Sequence, residues 1–338
     1  MRSTLIDVAR EAGVSSATVD RVLNNRSGVR LRTREVVLET ARRLGYIGGA
    51  GGGARSNART LVFDIVLPAG TNSFIADLRE QFVRQGGEAT EATVRVHSIE
   101  GFNPATLAAK LKDLEQGSDG VGIVGLDHPT VREAIRSLAN SGVPVITLAS
   151  DIHHVPRAGY VGIDNRSAGR LAGYLTGRLL GPGRHKVALF AGSLSYRGHE
   201  EREAGFRHVL AEEFPEIAIV DLTEVQDDME RAYLATRTHL DDHPDIAAIY
   251  NIGGGNRGIA RALDERGLAR KMILVGHELT SANKALLLSG AMDVAIDQNA
   301  RVEAREAIAQ LTRIAHGEPW DMYPLRIAVF FRENLPEE

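Results

Sequence analysis

Apolar residues along the first 45 positions recur at spacings of three and four. Leu5, Val8 and Ala9 fall on one helical face, Val19, Val22 and Leu23 on a second, and Val36, Val37, Ala41 and Leu44 on a third that stops at Gly45. From Leu61 the period changes. Short continuous apolar runs (LVFDIVLP, TVRVHSIE, GVGIVGL, PVITLAS) alternate with helical stretches at 75–85, 104–115 and 130–141. After YVGIDN the rhythm begins again, with KVALFAG, IAIVDL, IAAIYNI, MILVGHE and DVAIDQ separated by helical stretches at 166–180, 199–213, 227–240, 256–266, 281–288 and 302–315. Fully apolar strands alternating with helices predict buried parallel sheets, and two such series predict two doubly wound α/β subdomains behind a small all-α head.

Within the head, TLIDVAREAGVSSATVDRVLN reads as two short helices hinged at Gly13, the pattern of a helix-turn-helix. Gly13 can take the left-handed conformation that ends one helix, and Ser15 can accept from the free amides that start the next. Packing of the apolar faces leaves Ser16, Ala17, Asp20 and Arg21 outward on the helix that such motifs lay in the major groove. Arg21 is then the base reader, because a guanidinium can bond guanine O6 and N7 together, while Thr18, Asn24, Thr33 and Arg34 suit phosphate. A helical hairpin that docks another protein is the alternative.

Charge bears on that choice. Residues 1–60 carry eleven arginines, no lysine and five acidic residues, a net +6, whereas the whole chain is −4, which leaves −10 on the remainder. A basic head on an acidic body is the asymmetry expected when one part meets phosphate. With no cysteine there are no disulfides, thiolate metal sites or cysteine nucleophiles. No apolar run reaches membrane-spanning length and the N-terminus lacks a signal-peptide core, so a cytoplasmic protein without membrane association is expected. The glycine-rich stretch GGAGGGARSNA at 48–58 reads as a flexible tether.

Ligands of open parallel sheets sit beyond the carboxyl ends of the strands. Read off there, the candidates are Asn72, Phe74, Asp127, Ser150, Asp151, Tyr196, His199, Glu200, Asn251, Glu278 and Gln298. Hydroxyl, amide and carboxylate groups with an aromatic ring suit a polyhydroxylated ligand. Asn72 and Asp127 are equally good helix caps. Gly253, Gly255 and Gly258 spell G-x-G-x-x-G before a helix, with Glu278 twenty residues on, which is the form of a dinucleotide fingerprint and the basis of an alternative reading as an oxidoreductase. The fingerprint sits deep in the second series and has no acid or base paired with it, so neither a cofactor nor a catalytic residue is expected. His153 and His154 are adjacent and lack a third ligand, so no metal site is expected.

The chain resembles the lactose-repressor (LacI/GalR) family over nearly its whole length. The resemblance is carried in order by LIDVAREAGVSSATVDRVLN, TREVVLETARRLGY, VLPAGTNSF, VPVITLASD, VGIDNRSAGR, REAGFRHVL, VGHEL and IDQN. It implies a homodimeric, effector-responsive transcription factor, a repressor, bound to a partly palindromic operator on double-stranded DNA. It also implies a type I periplasmic-binding-protein-like body with a sugar-like effector between its lobes. A sugar-binding protein without regulatory DNA binding is the remaining alternative. The expected divisions are a head at 1–47, a linker at 48–60 and a body at 61–338, with lobe 1 at about 61–163 plus 297–320 and lobe 2 at about 164–296 plus 321–338. By position, Ser16, Ala17 and Arg21 match the family's base-reading places, and Thr18, Asn24, Thr33 and Arg34 its phosphate contacts. Asn72, Phe74, Ser150, Glu200, Asn251, Glu278 and Gln298 match cleft-lining places. The chain departs from the family at Asp20, where serine is usual, and in its linker, where glycines and Arg55 replace the leucine that family members wedge into the minor groove. No leucine wedge is therefore expected. No leucine heptad follows Phe331 to suggest a tetramer.

Overall fold

A computed structural model describes residues 5–23, 29, 31–44, 60–319 and 324–337. Contacts divide the chain into two units, Met1–Arg59 and Thr60–Glu338. The linker read at 48–58 lies outside the described residues.

In the first unit, α1 (Leu5–Glu11), α2 (Ser16–Leu23) and α3 (Leu31–Arg43) close around Val8, Ala9, Val19, Val22, Val37 and Ala41. Val36 does not join this core and is exposed. Val37 and Ala41, four residues apart, fix the inward face of α3, and the roughly 100° step between neighbours turns Val36 to solvent.

The second unit begins with β1 (Leu61–Ala69), α4 (Ser73–Glu88), β2 (Ala92–Glu100), α5 (Pro104–Asp113), β3 (Gly120–Val124), α6 (Pro129–Asn140), β4 (Val145–Leu148) and β5 (Gly159–Val161). It continues with α7 (Asn165–Leu180), β6 (His185–Ala191), α8 (Arg197–Glu213), β7 (Ile217–Glu224), α9 (Met229–Asp242) and β8 (Ile246–Asn251). Then come α10 (Asn256–Glu265), β9 (Ile273–His277), α11 (Ser281–Ser289), β10 (Val294–Asp297), α12 (Ala300–Ala315) and β11 (Ala328–Phe330). The first sheet has the order β2-β1-β3-β4-β5, all parallel; the second is β11-β10-β9-β8-β6-β7, parallel except for the β10–β11 pair. Central strands β3 and β4 are buried at every position, as unbroken apolar runs require, whereas edge strand β2 alternates. Along β6, Val187 and Leu189 enter one apolar cluster and Ala188 and Phe190 another, so the second sheet is covered on both faces.

The chain passes between the two lobes at 162–165, at 297–299 and again between α12 and Leu325. Helix α12 packs on α4, β1, β3 and β4 of the first lobe, although the strand before it and β11 after it belong to the second. At the first and last passages, Ile163 bridges to Leu325, and Leu325 N donates to the Gly162 carbonyl at 2.9 Å.

Candidate functional site

In the head, Gly13 adopts φ +64°, and Val14 N donates to Ala9 O at 3.0 Å while Gly13 N reaches Arg10 O at 3.4 Å. These paired bonds close α1 with a left-handed Schellman turn, which an L side chain at Gly13 would strain. Ser15 then caps α2. Its Oγ accepts Thr18 N at 3.2 Å and lies 2.9 Å from Thr18 Oγ1. Ser15, Ser16 and Arg21 are exposed, and Thr18 and Thr33 are half-buried. Asn24 lies outside the described residues, as do the side chains of Ala17, Asp20 and Arg34.

In the body, a cavity of about 300 Å³ opens between the two sheets at the carboxyl ends of their strands. That volume is at the lower end of the range for small-molecule sites. Phe74, Phe102 and Tyr196 give it an aromatic side, and Ser150, His199, Arg202, Asp227, His277, Glu278 and Gln298 give it polar groups. Phe102 meets Tyr196 edge to face at 5.4 Å. Tyr196 follows a strand of the second lobe but packs into the core of the first.

Direct bonds join the two lobes. Asn72 Nδ2 donates to Asp227 Oδ2 at 2.9 Å, Thr71 Oγ1 to Asp227 O at 3.1 Å, Gly198 N to Ser150 Oγ at 3.2 Å and Asp127 N to Ser195 O at 2.9 Å. The lobes are closed on one another.

The floor is a buried polar network. Arg202 Nε donates to Asn165 Oδ1 at 2.7 Å and Nη1 to Ile252 O at 3.0 Å, and Nη2 lies 3.7 Å from Glu278 Oε1. Gln298 Nε2 donates to Glu278 Oε1 at 2.7 Å. Burial pushes the Glu278 carboxyl up to about 8, against the opposing pull of Arg202. The Glu278 backbone is left-handed at φ +71°, and Asn283 Nδ2 pins it by donating to the carbonyls of His277 and Glu278, both at 2.8 Å. Burial also lowers the pKa of His199, partly offset by Asp227, and lowers that of His277 further. Gln298 Oε1 and His277 Nδ1 are buried in the lining with no hydrogen-bond partner. Such groups are costly to leave unmet.

The strand-end reading therefore brings together Asn72, Phe74, Ser150, Tyr196, His199, Glu278 and Gln298. The other four lie elsewhere, each for a local reason. Asp127 is held by a two-pronged ion pair with Arg132 at 2.7 and 2.9 Å, and it is His128, not Asp127, that caps α6. Asp151 is taken up by Thr147, Arg157 and its neighbour's amide, Ile152 N. Asn251 is buried against Gly254 O and Asn256. Glu200 points to solvent from the first turn of α8.

Sequence reading missed Arg202, Asp227, Phe102 and Asn283. Arg202 lies four residues before Phe206 on the buried face of α8, so an arginine on an apolar stripe was the available signal. Asp227 reads as the start of a helix at 227, but α9 begins at Met229 with Asp228 as its cap, and Asp227 is a left-handed loop residue at φ +54°.

The glycines of the apparent dinucleotide fingerprint have packing roles. A Cβ on Gly258 would overlap the Met229 carbonyl where α10 crosses α9, and one on Gly253 would overlap the Asp227 carboxylate. Gly254 N already donates to Asp227 Oδ1 at 2.7 Å, in the place where a phosphate would sit.

Residues 63–319 match the family model described as periplasmic binding protein domain, and residues 4–48 that of bacterial regulatory proteins, lacI family. Catabolite control protein A of Staphylococcus xylosus is 30% identical over 251 residues, 72% of each chain. Catabolite control protein A of Priestia megaterium is 30% identical over 215 residues, 63% of this chain and 62% of the relative, so the alignment spans less than two thirds of that protein's length. Among solved structures, GanP, a glucose-galactose binding protein from Geobacillus stearothermophilus, superposes with a TM-score of 0.76 at 22% identity, over 82% of this chain and all of GanP. A periplasmic solute binding protein from Actinobacillus succinogenes, solved with D-allose, gives 0.74 at 20% identity, over 81% of this chain and 98% of that one. These two likenesses establish the fold of the body. With a lacI-type head and a type I periplasmic-binding-protein body, the chain belongs to the lacI family of bacterial regulatory proteins.

Proposed function

We propose that the chain is a sequence-specific, DNA-binding transcriptional repressor whose operator affinity is set by a small sugar-like effector held between the lobes. The observation that carries the effector half is the cavity itself. An aromatic side faces buried polar groups, and the acceptor Gln298 Oε1 has no protein partner, which is how a site looks when a hydroxyl-bearing ligand completes it. Asn72, Phe74, Ser150, Tyr196, His199, Glu278 and Gln298 are the proposed effector residues, joined by Arg202 and Asp227.

Exposure of Arg21 and of the Ser15–Ser16 edge of α2, on a head with net charge +6, supports the DNA half. In this reading Ser16, Ala17 and Arg21 meet base edges, and Ser15, Thr18, Asn24, Thr33 and Arg34 hold the backbone. The protein acts in the cytoplasm as a homodimer on a partly palindromic operator, and it catalyses no reaction. Among the described residues no helix is long and apolar enough to cross a membrane. An effector that prefers one closure of the lobes changes the spacing at which the two heads of a dimer meet successive major grooves, and the coupling is the difference between its affinities for the two closures.

The test is selection of bound duplexes from a random pool by full-length protein, followed by titration of the selected site with sugars. A preferred, two-fold related site whose affinity responds to one sugar is expected. Arg21→Ala should relax one base position per half-site, and Glu278→Ala should abolish the response while sparing operator binding. Equal, salt-erased binding to every duplex removes the proposal.

A further inference from the structure

Helix N-termini attract anions, because their first amides are unpaired and the helix dipole points positive there. Several helices open on this cavity, and acceptors from the chain already occupy amides at the start of α4, α8 and α11 and on the loop before α10. Asn72 Oδ1 accepts Phe74 N and Ile75 N at the start of α4, at 3.0 and 3.4 Å. Ser150 Oγ, from the opposite lobe, accepts Gly198 N in the first turn of α8. Thr280 Oγ1 accepts Asn283 N at 3.3 Å in α11. On the glycine loop leading into α10, the acceptor is the Asp227 carboxylate, with Oδ1 on Gly254 N at 2.7 Å and Oδ2 on the Asn72 amide at 2.9 Å.

The Asp227 seat is built. Gly192 and Gly253 leave the room that the carboxylate fills, since a Cβ on either would overlap Asp227 Oδ1. Gln226 and Asp227 both adopt left-handed backbone, φ +52° and +54°, an unfavourable pair of conformations for residues with side chains. Arg202 is the cation of the floor, and two of its donors are committed to Asn165 and Ile252 with Glu278 beside the third. Arg257 is the cation at the rim and is exposed to water, where its attraction for an anion is screened. What the lining leaves unmet on its polar floor is the acceptor Gln298 Oε1 and the ring nitrogen Nδ1 of His277.

We propose that Asp227 is a specificity-determining residue that occupies the anion seat of the cavity, so that the site takes an uncharged polyhydroxylated ligand and rejects phosphorylated or carboxylated sugars. A phosphate on the glycine loop would have to displace Asp227 from Gly254 N and break its tie to Asn72 of the other lobe. The inference rests on the reading of the cavity as a sugar site and adds the charge class of the ligand.

Calorimetric titration of the full chain tests it, with a panel of neutral hexoses and pentoses, their terminal phosphates and uronic acids, and inorganic phosphate as probes. The wild type is expected to bind a neutral sugar at least about 100-fold more tightly than its phosphate or uronate, since like-charge contacts cost several kcal/mol and each tenfold is about 1.4 kcal/mol. Asp227→Asn, which keeps the size and removes the charge, and Asp227→Ala should each shrink that ratio by about tenfold or more. A wild type that binds a charged probe as tightly as its parent sugar overturns the inference and leaves the sugar site standing; this arm needs no variant to fold. A ratio unmoved in Asp227→Asn overturns the role of Asp227. Binding of no probe in either charge class removes the sugar site itself, and the inference with it.

Discussion

Arg202 and Glu278 meet at 3.7 Å in the floor of the cavity, both buried, with the guanidinium tied more closely to Asn165 and Ile252 than to the carboxyl it faces. Arg202 thus reaches from α8 to the first residue of α7 and to the end of β8, and it fixes where Glu278 stands. Removing it strands an amide oxygen, a carbonyl and an acid together. Arg202→Ala should lower the stability of the body by roughly 3 kcal/mol or more, as breaking a buried charged contact does. Arg202→Lys should recover only part of this, because an ammonium lacks the planar fork. Urea denaturation followed by circular dichroism measures both, and a loss under about 1 kcal/mol for the alanine variant would contradict the network described.

The Glu278 carboxyl also sets a pH dependence. Its pKa is raised by burial from 4.5 in the unfolded chain to about 8 in the folded one. Between those values the folded state holds the extra proton, so this contribution is complete below pH 4.5, declines as pH rises, and is lost past about pH 8. Burial raises Asp77, Asp293 and Asp297 as well, which adds to the same slope at its acid end. The Glu278 contribution to the unfolding free energy should fall from pH 5 to 8, while the buried histidines His199, His239 and His277, whose pKa values burial lowers, act in the opposite sense below about pH 6.5. Glu278→Gln should flatten the fall by up to about 1.4 kcal/mol per pH unit, the linkage of one proton. A wild-type profile that, relative to Glu278→Gln, rises over this interval would be the opposite sign.

Gly258 provides a test of the fingerprint glycines. A methyl group there meets the Met229 carbonyl, so Gly258→Ala should cost about 1–3 kcal/mol through displacement of α10 from α9. A dinucleotide should neither bind the wild type nor stabilise it. Saturable quenching of NADH fluorescence by the wild type would restore the oxidoreductase reading.

In the head, Gly13 and Ser15 join two helices by different means. Gly13→Ala forces a side chain into φ +64° and should cost about 1–2 kcal/mol, and Ser15→Ala removes the cap on Thr18 N and should cost about 1 kcal/mol. Amide exchange across residues 5–23 of the full chain is the measurement. Equal protection in both variants and wild type would refute the roles given to the turn and the cap.

Much of this fold is legible in the sequence because its signals are local. LVFDIVLP and GVGIVGL are short apolar runs that read as buried strands, and Asn72, Phe74, Glu278 and Gln298 follow from the rule that ligands lie past strand ends. What was not legible depends on who the neighbour is. Asp127 and Asn251 stand at strand ends as the rule asks, yet Arg132 and Asn256 claim them first. Asp227 escaped notice because it reads as the first residue of a helix at 227–240. Its actual place needs glycines 35 residues upstream and 26 downstream, Gly192 and Gly253, to vacate the space. Asn72, in the lining, has its side-chain Oδ1 on the start of α4 and its Nδ2 on Asp227, so it acts as a strut between lobes.

The path of the chain between the lobes has a consequence for how this body can be taken apart. Because α12 returns to the first lobe and β11 goes back to the second, neither half is an uninterrupted piece of polypeptide. Cutting near residue 163 yields one fragment without a supporting helix and another carrying a helix with nothing to rest on. Each half must therefore wait for the other's last segment during assembly, and a lesion at the extreme carboxyl end, in β11, strikes a sheet whose first strand began almost 150 residues earlier, at His185.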